Sequence, residues 1–118
     1  MGNTSECLYE RFRGTGREAI RLEAALEGFF LEDPGGDEEK REDYGAYLKR
    51  RIRPAMELLI EREDTEGMER LEALGWFKKE ELEGFIRTAR EACRPQALVW
   101  LMRLKDRKYG YEDQDFSL

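Results

Sequence analysis

The sequence predicts an all-α protein, a stack of antiparallel helical hairpins with no sheet. Apolar residues recur three and four positions apart along most of the chain, and no segment alternates with period two or is rich in β-branched residues. Proline, glycine and capping residues cut that pattern into short segments. A helix-link-helix pattern is also written twice, thirty residues apart.

Residues 1–14 are expected to form a mobile start. Thr15 followed by Glu18 has the spacing of a capping box, and Leu22, Leu26, Phe29 and Phe30 then share one face, so a first helix is expected over about 16–31. It should stop where Pro34, Gly35 and Gly36 break the periodicity in an acidic loop over residues 32–43. From Tyr44 the stripe Leu48, Ile52, Met56, Leu59 restores helical spacing, with Pro54 in its path. Proline fits the first turn of a helix and disfavours the α conformation in the residue before it, which places a break near Arg53 and a new helix over 54–62.

Asp64 or Thr65 can cap a short helix carrying Met68, Leu71 and Leu74, which Gly75 should end in a left-handed conformation. A helix over 79–92 follows, burying Leu82, Phe85, Ile86 and Ala89. Pro95 opens the last one, with Leu98, Leu101 and Leu104, and Gly110 is expected to end it. Residues 109–118 would then be a tail that folds back as a cap.

The repeat aligns Ile52 with Leu82, Met56 with Ile86, Leu59 with Ala89, Met68 with Leu98, Leu71 with Leu101 and Leu74 with Leu104. Such a unit cannot bury its apolar face alone and is stabilised by a stacked neighbour. Over about residues 53–108 the chain resembles degenerate ankyrin-type repeats, 53–78 making a first hairpin and 79–108 a second. Pro54-Ala55-Met56 stands where those repeats carry Pro-Leu-His, and residues 88–104 resemble the Ala-rich end of their inner helix followed by the Leu-rich outer one. The chain departs from the pattern in lacking histidine and glycine at the hairpin links, and in having Gly84 in place of the second proline. The resemblance implies protein binding through a groove formed by inner helices and loops. A generic helical bundle and a helix-turn-helix arrangement stay open as alternatives.

At 118 residues a single domain is expected. With 41% charged residues against 40% apolar ones, the surface must be almost wholly charged and the core economical. The net charge of -6 argues against a dedicated nucleic-acid or anionic-membrane binder. No apolar run approaches the roughly eighteen residues that span a bilayer, and no signal peptide is recognisable, so a cytoplasmic location is expected. The opening Met-Gly begins like a myristoylation signal, but Glu6 stands where serine or threonine is favoured. Cys7 and Cys93 have neither disulfide-framework nor metal-ligand spacing. The absence of histidine removes the commonest general base and the commonest transition-metal ligand. No enzyme activity, cofactor or metal is expected.

Candidate partner-binding residues are therefore aromatic anchors with a charged rim: Trp76, Phe77 and Trp100, with Glu57, Glu61, Arg87 and Arg90. The run Ala97–Met102 is apolar nearly all round and must be covered by the tail, by the first helix, or by a second copy. A homodimer thus stays open. Lys49, Arg50, Arg51 and Arg53 could bind phosphate, but pairing with the acidic residues 37–39 is the simpler expectation. Arg103, Lys105, Arg107 and Lys108 would complement the dipole at a helix C-terminus. The function expected is a non-catalytic protein–protein interaction module with an unidentified protein partner. The alternative is a compact bundle that self-associates or binds nucleic acid through its basic cluster.

Overall fold

A computed structural model describes the backbone of residues 4–32 and 35–116, and the side chains of residues 5–32 and 35–109. Among the described residues the regular structure is entirely helical: α1 Thr4–Gly14, α2 Glu18–Glu32, α3 Glu38–Arg50, α4 Ile52–Arg62, α5 Thr65–Ala73, α6 Lys79–Glu91 and α7 Pro95–Phe116. The chain divides into two compact units, Met1–Ala55 and Met56–Leu118, with the boundary inside α4.

The cause lies in the residues expected to be a mobile start. They form α1, whose Leu8 and Phe12, one turn apart, are both buried. Burying such a side chain contributes about 1.5–3 kcal/mol. With α1 in place, α2 packs against α1 and α3, and the first unit closes a core of its own.

That core is aromatic. Phe12 meets Tyr44 and Tyr47 edge-on at centroid distances of 5.0 and 5.2 Å, and Tyr9 meets Tyr44 at 5.8 Å. Tyr44 is fully buried against Gly28 of α2, where any Cβ would lie inside the phenol ring. Glu32 is also buried, and its carboxylate accepts from the Ser5 hydroxyl and from the Asp37 N–H at 2.7 Å. Lys40 donates to Ser5 Oγ (3.0 Å) and pairs with Glu6 (3.3 Å), so this chain of bonds ties α1 to the α2–α3 loop.

The capping box expected at Thr15 is not formed. Thr15 Oγ1 accepts from the Arg17 N–H, while the Glu18 carboxylate accepts from Tyr47 and from Arg51, 29 and 33 positions along the chain. The acidic loop is shorter than the expected 32–43, because Asp37 caps α3 by accepting from the Lys40 N–H (3.1 Å). Of the break expected at Pro34, Gly35 and Gly36, Pro34 lies outside the described residues, while Gly35 (φ +90°) and Gly36 form the turn between α2 and α3. The break expected near Arg53 falls at Arg51, the C-cap of α3, which leaves Pro54 inside the first turn of α4.

In the second unit the two hairpin links are built alike. Glu63 (φ +54°) and Cys93 (φ +58°) are both left-handed. The Glu63 and Cys93 N–H groups donate to the carbonyls of Ile60 and Arg90, and the Asp64 and Arg94 N–H groups to those of Leu59 and Ala89. Each is a Schellman turn, and each leads directly into the next helix, at Thr65 and Pro95. Thus Glu63 and Cys93 hold a conformation that costs a non-glycine residue roughly 1–2 kcal/mol. Gly75 (φ +74°) follows α5 as expected. Helix α7 packs on α6 and touches α5, and it does not stop at Gly110: its backbone stays helical to Phe116 instead of turning back. The side chains of the expected tail cap, among them Tyr111, Phe116 and Leu118, lie outside the described residues.

Candidate functional site

The apolar run at the start of α7 is only partly covered. Ala97, Leu101 and Leu104 are fully buried, in keeping with the i, i+4, i+7 face that packs on α6. Leu98 and Trp100 are half-buried. Val99 and Met102, on the opposite side, remain 47% and 48% exposed.

Those two residues, with Ile86 of α6, form the apolar floor of an open groove of about 410 Å³. Arg90, Arg103 and Lys105 line it together with a single carboxylate, Asp106. The groove therefore carries three cations against one anion in a chain whose net charge is -6. Lys105 is held by Glu83 at 3.5 Å.

The cations of this region are not at a helix C-terminus, because α7 continues past them to Phe116. The dipole account expected for Arg103, Lys105, Arg107 and Lys108 is corrected accordingly. Lys108 instead pairs with Glu72 of α5, and that hydrogen bond raises its pKa above the ordinary lysine value.

Of the candidate partner-binding residues, only Arg90 lines the groove. Phe77 is buried and meets Phe85 edge-on at 5.2 Å, so it plugs the unit's core. Trp76 and Trp100 are half-buried, while Glu57 and Glu61 on α4 and Arg87 on α6 are exposed. Ile86 reads from periodicity as core, and it is indeed mostly buried, yet it also forms the groove floor. The signal for Val99 and Met102 was the run itself: a helix packed along one side cannot cover six consecutive apolar positions.

The basic cluster is divided. Arg51 is bound to Glu18 and stacks over Tyr47 at 4.3 Å, whereas Lys49, Arg50 and Arg53 are exposed. Pairing with residues 37–39 is ruled out by α3 itself, which has Asp37 at its N-cap and Lys49 and Arg50 in its last turn, about 20 Å away.

Electrostatics elsewhere in the first unit are those of a closed core. Burial pushes the Tyr44 phenol up to about 12, helped by the Glu32 charge, and its hydroxyl has no hydrogen-bond partner among the described residues. Tyr47 is also pushed up to about 12, by burial and then by its bond to Glu18. The same bond, with Arg51, holds Glu18 below the usual carboxylate range. Tyr9 is raised by its hydrogen bond to Asp43.

Among the described residues no three histidine, cysteine, aspartate or glutamate side chains cluster as metal ligands would, and no helix is long and apolar enough to cross a membrane. Cys7 and Cys93 are exposed free thiols. No protein-family model, curated protein or solved structure matches the chain.

Proposed function

We propose that this protein is a non-catalytic protein–protein interaction module that engages its partner through the α6–α7 groove. The observation that carries this reading is the exposure of Val99 and Met102 on a concave surface with a charged rim. Interfaces place apolar anchors at the centre of such a patch and polar groups around it.

The finer architecture we assign is that of ankyrin-like repeats, with α4 and α6 as inner helices, α5 and α7 as outer ones. The matched links at Glu63 and Cys93 support it, because the same hydrogen bonds recur thirty residues on. Three of the six paired apolar positions, Met56 with Ile86, Leu59 with Ala89 and Leu71 with Leu101, are buried in both copies, whereas Leu74 is 41% exposed where Leu104 is buried. The two exposed free thiols favour a reducing, cytoplasmic setting.

A photo-crosslinking amino acid at Met102, compared with one at the exposed Ala46 of α3, tests the reading in cells that make the protein. Polypeptide adducts at position 102 and none at 46 are expected, and the groove variant Arg103→Glu should remove them. Adducts at neither position, or at 46 alone, would overturn it.

A further inference from the structure

Resting on the groove as an interaction surface, we infer that its occupant is the helical extension of α7 from a second copy of this chain, in a reciprocal antiparallel pair. The first ground is charge. Two groove surfaces set face to face would oppose Arg90 and Arg103 to themselves, so the groove is not complementary to itself and calls for an acidic, apolar occupant.

The second ground is that the chain carries such a segment. Residues 111–116 read Tyr-Glu-Asp-Gln-Asp-Phe, three carboxylates between two aromatic residues, and their backbone is helical. Helix α6 accompanies α7 only as far as Tyr109, whose ring lies 5.8 Å from Lys79 Nζ at the first residue of α6. The extension therefore continues for about two turns past the start of α6.

The third ground is geometric. Within one straight helix Met102 and Asp113 are separated by about 16 Å along the axis, so the extension cannot reach the groove beside it while α7 stays helical. Pairing must occur between chains, and two antiparallel copies make the contact twice, each extension in the other's groove.

A further hairpin of the same kind is a poorer occupant. Glu63 caps the N-terminus of α7, accepting from the Gln96 and Ala97 N–H groups, whereas the matching position at the last link is Cys93, which carries no carboxylate.

Light scattering on the full chain and three variants tests the inference. The wild type should be a dimer, and truncation after Lys108 should leave a monomer. Arg90→Glu with Arg103→Glu should weaken association at least tenfold, as should Asp113→Lys with Asp115→Lys. Arg90 and Arg103 have no ion pair among the described residues, so their reversal leaves the unit's own contacts in place. The decisive measurement is the equimolar mixture of the two charge-reversed chains. Both groove–extension contacts become complementary again, and a heterodimer is expected at wild-type concentrations. A monomeric wild type, a truncated chain that still dimerises, or no rescue in the mixture would overturn the inference. Crosslinking at Met102 to a different polypeptide, with a monomeric wild type, would leave the interaction reading standing and refute only the second copy.

Discussion

The carboxylate of Glu63, at the link between α4 and α5, accepts hydrogen bonds from the N–H of Gln96 at 2.7 Å and of Ala97 at 3.3 Å, and so caps the helix of the following hairpin. It takes the place of a local cap, which Arg94 cannot supply because its side chain has no acceptor. One residue thus joins the two hairpins and stands in a left-handed conformation to do so.

The pair of left-handed links makes a discriminating test. Cys93→Gly removes the strain at φ +58° and should stabilise the protein by about 0.5–1 kcal/mol. Glu63→Gly removes the same strain but also the cap, and should be neutral to destabilising; Glu63→Ala keeps the strain and should lose about 1 kcal/mol. Urea denaturation of the three variants checks the order.

Gly28→Ala should destabilise the first unit by about 1–3 kcal/mol, because the new methyl group needs space that the buried Tyr44 ring fills. Alanine at the half-buried Gly84, where a Cβ meets nothing within 4 Å, should be stabilising as an ordinary helix-propensity gain. Thermal melts followed by circular dichroism distinguish the two.

Alkaline pH should weaken the first unit. The folded-state values of Tyr44 and Tyr47 lie at about 12, above the roughly 10 of an unfolded tyrosine, so their stabilisation is complete below about pH 10 and is lost as pH rises towards 12. Tyr44→Phe should reduce that loss, and near neutral pH it should be harmless or mildly stabilising, since the hydroxyl it removes has no partner among the described residues. Glu18 has the opposite sign: its folded value is lowered, so its contribution is present above about pH 4.3 and disappears as pH falls through that lowered value. A tyrosinate absorbance titration beside denaturation at each pH reads both limbs.

Met102→Glu should leave stability within about 0.5 kcal/mol, because the side chain is 48% exposed and α7 is held by Leu101 and Leu104 on its other face. Leu101→Ala should lose about 2–5 kcal/mol as a buried leucine. Equal losses in the two variants, measured by urea denaturation, would mean that Met102 belongs to the core.

What the sequence made legible follows from where the physics is local. Pro95, Asp64 and Gly75 mark helix ends through backbone geometry alone, and the bounds of α5 and α6 fall within a residue or two of expectation. The burial of Leu71 and Leu101 follows from periodicity. Helix α1 was hidden because its apolar face is two residues wide, and one of them, Phe12, packs on Tyr44 and Tyr47, more than thirty positions away. Glu18 was misassigned for the same reason: a capping spacing was present, but Tyr47 and Arg51 are better partners in three dimensions. The groove was half legible. The apolar run exposed a problem of coverage, while the part played by Arg103 depended on α7 continuing through Gly110, against that residue's local preference.

Hydrogen–deuterium exchange on the intact protein at low and high concentration tests the central claim most directly, because it locates the surface on which one chain meets another. The groove account predicts that exchange slows at high concentration on α6 around Ile86–Arg90 and on α7 from Val99 onward, and nowhere on α1, α2 or α3. Exchange that does not depend on concentration, or added protection confined to the first three helices, would contradict it.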